Sequence, residues 1–432
     1  MSAKTAITLL GQRRFLPLLI GTTLGAFNDN MFKMALVIAA TEGMFNFAGM
    51  STAELAPMAA NTFTAAIFLF SAIAGQVGDR YDRSMILKRT KFLEITLMIL
   101  AATGFMTMNG YLLLFTLFLM GMQSAFFSPA KVASMPHYLK DEELVAGNAV
   151  MGGFLFMAIL VGGALGTLLI PGDNGRYIIG ASLIIVAICG WLTMRLTPPS
   201  PAASKESSIN WNFIAETFKI LGLALRTPGM ARPLLATAWF WAIAAGIVVL
   251  LHGMVTSILG QDESLTAAMQ VLFTLGAATG SMACGIFSKG KEASAFSIAG
   301  ALGITVFTGD LAWQLAHWQT GPLLEISAFI QDPSHWRLLA DFFFAAMFAG
   351  MFVVPQQALA QKRAPEAIRA RVLAGGLLIN AAAATSAQAL LMMNASIGGG
   401  PAHVFGFVAI GSLIVAGIII RRITSAPADS PS

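Results

Sequence analysis

Charge is scarce in this sequence. Asp, Glu, Lys and Arg together supply only 11% of 432 residues, and the mean hydropathy is +0.74. A soluble chain of this length could not bury so much apolar surface, so lipid must serve as its solvent. Cysteine is scarcer still. Cys189 and Cys284 lie far apart, each inside an apolar run, which excludes a disulfide framework and a cysteine metal centre. The chain has no Gly-rich phosphate loop of the Walker type, so ATP is not expected to drive it, and no cofactor or metal is implied. It also lacks the ten-residue alternation of a membrane β-barrel. No small-residue cleavage site follows the first apolar run, behind Lys4, Arg13 and Arg14, so that run is read as a retained helix rather than a signal peptide.

What remains is a series of apolar runs of about twenty residues, the length a helix needs to cross about 30 Å of hydrocarbon. They predict an all-α polytopic protein with about twelve transmembrane helices. The first six are expected near 15–40, 57–78, 85–107, 111–138, 144–169 and 176–196. The second six are expected near 233–259, 265–288, 293–316, 336–362, 366–394 and 401–422. Residues 1–196 and 233–432 are then two six-helix bundles. Residues 197–232, opening on Pro198-Pro199-Ser200-Pro201 and carrying Lys205, Glu206, Glu216, Lys219 and Arg226, form a linker with a surface helix around Trp211 to Leu225.

Basic residues set the expected orientation, because cytoplasmic loops collect Lys and Arg. Of the 26, Lys33 and Lys131 lie within helices and Arg176 and Arg337 fall on the far side. The rest, including Arg80, Arg83, Lys88, Arg89 and Lys91, gather on the side of both termini. Glu42, Glu54, Asp173, Asp262, Glu263, Glu325 and Asp332 fall opposite. Both termini are therefore expected in the cytoplasm. The pI near 9.3 follows from this topology and implies no nucleic-acid partner, and the basic face is expected to attract anionic membrane lipids.

The halves repeat weakly. Arg232-Pro233-Leu234-Leu235 answers the segment Arg14 to Leu19, and Pro355-Gln356-Gln357 answers Pro129-Ala130-Lys131. Parallel six-helix repeats are a transporter architecture with the site between the halves. Chemically they differ: Asp29 and Lys33 fall opposite Ala245 and Val249, and Lys131 opposite Gln357.

The costliest stretch is Gly25-Ala26-Phe27-Asn28-Asp29-Asn30-Met31-Phe32-Lys33, with an acid, a base and two amides inside the first apolar run. A charge at the centre of a membrane helix costs about 2.5 to 3.5 kcal/mol on insertion scales and so marks a pathway or a buried pair. Asp29 and Lys33 share a helix face. They line a substrate cavity or form an ion pair that fixes helix packing. Lys131, behind the kink-permitting Pro129, lies inside the fourth helix. Asp29, Lys33 and Lys131 offer both signs of charge to a zwitterionic head group, with hydrogen bonds from Asn28, Asn30, Asn61, Gln123 and Ser128. Among the other intramembrane acids, Glu94 is expected to pair with the basic loop and Asp341 to lie near the outer end of its helix. Asp310, deeper, is a second polar point or a local structural bond.

Gly75-Gln76-Val77-Gly78-Asp79-Arg80-Tyr81-Asp82-Arg83 resembles the loop signature of the major facilitator superfamily, with Asp82 where the family often has Gly. The resemblance implies alternating access, with Gly75, Asp79, Arg80 and Arg83 as a conformational latch between the halves. Gly25 to Asn30, Phe127-Ser128-Pro129-Ala130-Lys131, and Phe352-Val353-Val354-Pro355 with Ala358, Leu359 and Gln361 are together similar to the bacterial lysophospholipid transporter family. That resemblance implies movement of lysophospholipid, mainly lysophosphatidylethanolamine, across the bacterial inner membrane for re-acylation, with an acyltransferase as partner. It also implies that Asp29 and Lys131 face the head-group cavity. The arginine expected in the seventh helix is missing from Phe240 through Leu250. Rival readings are an exporter of drugs or small amphiphiles, weakened by the absent Gly-Pro pair in the fifth helix, and a non-transporting scaffold or sensor. An enzyme is not expected: His137 to Asp141 brackets three residues where the acyltransferase motif needs four.

Overall fold

The computed structural model describes residues 2–45, 52–172, 174–202, 209–255, 259, 263–288, 294–319 and 326–425. Asp173, Lys205, Glu206, Asp262 and Glu325, assigned to loops above, lie outside the described residues. Ser2–Leu10 forms α1, a helix the sequence reading did not anticipate. Six long helices follow: α2 (Leu16–Thr41), α3 (Thr52–Arg80), α4 (Arg83–Met106), α5 (Gly110–Tyr138), α6 (Leu144–Leu169) and α7 (Gly175–Arg195). The surface helix α8 spans Phe213–Arg226. The second set is α9 (Ala231–Gly253), α10 (Glu263–Phe287), α11 (Ser294–Ala316), α13 (Trp336–Arg363), α14 (Arg369–Ser396) and α15 (Pro401–Ser425), with a short α12 (Ile326–Gln331) before α13.

Local chemistry sets the boundaries. Pro17 opens the first turn of α2, where a missing amide costs nothing. Asp82 caps α4 by accepting from the Met85 amide (3.0 Å), so the residue that departs from the family's Gly starts the next helix. Asn109 and Asn212 do the same for α5 and α8. Ten of the twelve long helices are apolar and long enough to cross a membrane. The two others are α2, which carries Asp29 and Lys33, and α4, which carries Arg83, Lys88, Arg89, Lys91 and Glu94. Apolar side chains also cover the outside, including Leu168, Ile185, Phe407, Ile410 and Ile418, as a lipid-facing surface requires.

The weak repeat in sequence is a strong repeat in packing. In the first half α2 lies against α6, α3 against α5, and α4 against α7. In the second half α9 lies against α14, α10 against α13, and α11 against α15. The order of partners is the same, as expected of a duplicated six-helix unit.

The halves meet closely at the end bearing Arg80, Lys140, Lys362 and Arg369, here termed the basic end. Small residues allow this. A side chain at Gly75 would meet Ala374, one at Gly78 would meet Ala370, and one at Gly285 would meet Ala149. The helix α1 packs against α6 and α10, and so touches both halves.

Candidate functional site

Asp29 stands on α2 in a group of five charges contributed by three helices. Its electrostatic neighbours are Glu94 and Lys91 of α4 and Lys33 on its own helix, while Lys131 of α5 has Asp29 and Lys91 as neighbours. Asp29, Lys33 and Lys131 are each half-buried, and the Lys33 ammonium lies 4.8 Å from the centre of the Phe63 ring.

One expectation about this region is corrected. Lys91 does not belong to the basic loop; it is 1% exposed inside α4 and pairs with Glu94 at 2.6 Å. Glu94 therefore finds its partner inside α4, in a lysine the sequence reading counted with the loop. Lys91 fits because Gly25 leaves room for its ammonium, where any β-carbon would collide with it. The Phe127 ring centre is 5.3 Å from the same ammonium.

Around this pair the polar residues knit α2, α4, α5 and α7 together. Asn28 donates to the Leu183 carbonyl (3.2 Å) and lies 3.5 Å from Glu94, and Gln123 donates to the Thr90 carbonyl (3.1 Å) and to Glu94 (3.4 Å). Asn28 is fully buried with its side-chain oxygen unpartnered among the described residues, and half-buried Asn30 donates to the Ala26 carbonyl of its own helix. Ser128 is half-buried on α5, one turn before Lys131, and Asn61 is exposed. The Asn28 pattern holds the helices together, and Asp29, Lys33 and Lys131 are what the network presents at its edge.

Lys131 also lines a cavity of about 160 Å³ between the halves. Asn148 and Met151 of α6 contribute to it from the first half. Thr237, Trp241, Gln357 and Asn380 contribute from α9, α13 and α14. Lys131 and its counterpart in the repeat, Gln357, thus line one space. Among the lining residues Lys131 alone is charged. Asn148 and Gln361 close one side with a reciprocal pair of amide bonds, 2.7 and 2.9 Å, that joins α6 to α13 across the halves. Sequence reading missed this pair; no local pattern connects residues 213 positions apart.

A second, almost wholly apolar groove of about 360 Å³ continues along α9 and α14 away from the basic end and is flanked by α15. Ile243, Ile247, Leu390, Leu391 and Phe405 line it. This groove lies wholly within the second half.

At the basic end, Asp79 is fully buried and sits on the first turn of α14. It accepts from the backbone amides of Ala370 (2.8 Å) and Arg371 (3.2 Å) and from the Arg371 guanidinium (2.9 Å). These are orphan amides of a helix N-terminus, which a carboxylate satisfies well. Arg83 is also buried, 3.9 Å from Asp79, and donates to the Gly78 carbonyl (3.2 Å). Arg80 is peripheral, stacked over Tyr81. Lys362 reaches Asp141 across the halves at 3.5 Å.

Of the two readings left open for Asp310, the structure shows local structural bonds. Asp310 holds Arg337 with two hydrogen bonds, 2.5 and 2.9 Å, near the end opposite the basic one. Gln314 donates to both Asp310 (3.1 Å) and Asp341 (2.5 Å) there. Among the described residues no group of His, Cys, Asp and Glu could hold a metal ion.

The model of the Major Facilitator Superfamily matches residues 18–385. The chain belongs to this superfamily. Within it, this facilitator is 24% identical to the lysophospholipid transporter LplT of Escherichia fergusonii over 368 residues, 84% of each chain. It is 23% identical to the LplT of Photorhabdus laumondii over 372 residues, 85% of each. Its fold matches a bacterial homologue of the iron transporter ferroportin in an outward-facing state, with a TM-score of 0.69 at 16% identity and coverage of 96% and 100% of the two chains. It likewise matches FucP in the outward conformation, with a TM-score of 0.71 at 11% identity and the same coverage. The facilitator is thus a multi-pass membrane transporter by family and fold.

Proposed function

We propose that this facilitator carries lysophospholipid across the bacterial inner membrane by alternating access, with both termini in the cytoplasm. The observation that carries the reading is the cluster of Asp29, Lys33 and Lys131 held at the edge of a rigid polar network, with Lys131 opening into a cavity between the halves. The resemblance to lysophospholipid transporters over more than four fifths of the chain supports the cargo. A phosphate would seat on Lys131, whose ammonium has no ion pair among the described residues. Asp29 would face an ammonium. The apolar groove between α9 and α14 suits the acyl chain, so that the head group crosses through the polar interior while the tail stays against hydrocarbon.

In this reading residues 1–196 and 233–432 rock as bodies joined by the linker 197–232, and Gly75, Asp79, Arg80 and Arg83 latch the state closed at the cytoplasmic, basic end. An acyltransferase acting on the delivered lipid is the partner this reading calls for. Uptake of labelled lysophosphatidylethanolamine by cells making the protein tests it. Asp29→Asn and Lys131→Ala variants that insert normally should each lose about tenfold or more in uptake, as expected when a charged hydrogen-bonding partner is removed. Undiminished uptake in both would refute the site.

A further inference from the structure

The charges around the cavity do not balance, and the excess has a direction. The group of five contains three lysines and two acids. Glu94 is committed to Lys91 at 2.6 Å, and Asp29 is shared as the acidic neighbour of Lys33, Lys91 and Lys131. Lys131 is left over. Its ammonium has no hydrogen bond or ion pair among the described residues, and it alone of the five lines the cavity. The opposite wall, from the second half, is neutral. Gln357 has no hydrogen-bond partner among the described residues. Asn380 accepts from Thr237 through its oxygen (3.4 Å), which leaves its amide donor toward the cavity. Among the described residues no carboxylate lines this space.

From this arrangement we infer that the cavity selects cargo carrying one net negative charge: a phosphodiester on Lys131 whose uncharged, hydroxyl-bearing head group is read by Gln357 and Asn380. The inference rests on the lysophospholipid reading and narrows it. A phosphodiester neutralises Lys131, the one uncompensated charge of the cavity wall. Amides both donate to and accept from hydroxyls, so a glycerol head group finds partners on both of its faces. A head-group ammonium would leave water and meet no acid on this wall. It could be satisfied only by drawing Asp29 from the lysines beside it. Zwitterionic cargo is then carried, but less well. Gln357 and Asn380 are specificity-determining residues, and Gln357 holds the repeat position of Lys131, where a cation would have added a second positive charge.

The test is a competition between labelled lysophosphatidylglycerol and lysophosphatidylethanolamine in proteoliposomes containing the full chain. The native protein should favour the glycerol head group by about tenfold, the usual scale for leaving a buried polar group unpartnered. Gln357→Glu places a carboxylate facing Lys131 and should reverse the order, whereas a merely structural role for Gln357 would lower both rates together. Asn380→Ala should lower lysophosphatidylglycerol transport while sparing lysophosphatidylethanolamine. Equal rates for the two lipids in the native protein, or a ratio unmoved by Gln357→Glu, would overturn the inference and leave lysolipid transport standing. Transport of neither lipid would instead refute the lysophospholipid reading. Glycerophosphoglycerol, the same head group without an acyl chain, separates the remaining source. It should not be transported; if it is, the cargo is a soluble phosphodiester and the lipid reading fails, while the charge selection holds.

Discussion

Lys91 shows most clearly how position decides what a charged residue does. In sequence it follows Lys88 and Arg89 and looks like the last member of a basic loop. In the fold it is buried against Gly25 and bonded to Glu94. A buried pair contributes little as a unit, but losing one partner strands a charge and costs about 3 to 5 kcal/mol. Lys91→Met should therefore lower the apparent melting temperature in detergent sharply, and Glu94→Leu added to it should recover most of the loss. If the single and double variants melt alike, the stranded Glu94 charge is not what destabilises the single variant. The clues available in sequence were Glu94 three positions on, which shares a helix face with Lys91, and a glycine in the most polar stretch of α2. Asp29 and Lys131 were legible because a charge far from any loop has few structural uses in lipid. Asn148 and Gln361 were not, since an amide in a membrane helix is equally at home bonding its own backbone, as Asn30 does.

At the scale of helices, the fold was legible nearly to the residue at several ends, because run length and polar punctuation are imposed by the bilayer itself. α1 escaped notice because nine residues are too few to span, and its place depends on packing against α6 and α10. The linker helix α8 was expected from Trp211 to Leu225 and forms over Phe213–Arg226, with Phe213, Ile214 and Phe218 exposed as on a surface helix. The element with the most to lose is α14, whose N-terminus depends on an acid from the other half. Replacing that acid by Asp79→Asn keeps one acceptor but removes the charge facing two amides and Arg371. The state closed at the basic end should weaken by about 1 to 2 kcal/mol, the range for a charge at a partly buried helix end. Spin labels at Tyr81→Cys and Ala367→Cys, both exposed, would report it. Their longer-distance population should rise roughly tenfold, following the energy. An unchanged distance distribution would show that Asp79 supports α14 without latching the halves.

For the whole molecule, the two halves share one packing scheme and divide the chemistry unequally. The first half carries the charged network and the second supplies neutral amides and an apolar groove. That asymmetry was readable from aligned positions such as Lys131 and Gln357, but their meeting in one cavity required the halves to be brought together. The halves touch at the basic end through Asp79, the Asn148–Gln361 pair and the Lys362–Asp141 ion pair. Each of these must part for the cavity to open on that side, so transport and separation of these contacts are one event. The most direct measurement is translocation of a fluorescent lysophospholipid in proteoliposomes, followed by extraction of the outer leaflet with albumin. The account predicts translocation well above protein-free liposomes, lost in Asp29→Asn and in Lys131→Ala. A folded, correctly inserted protein that moves lysolipid no faster than the empty bilayer would contradict it.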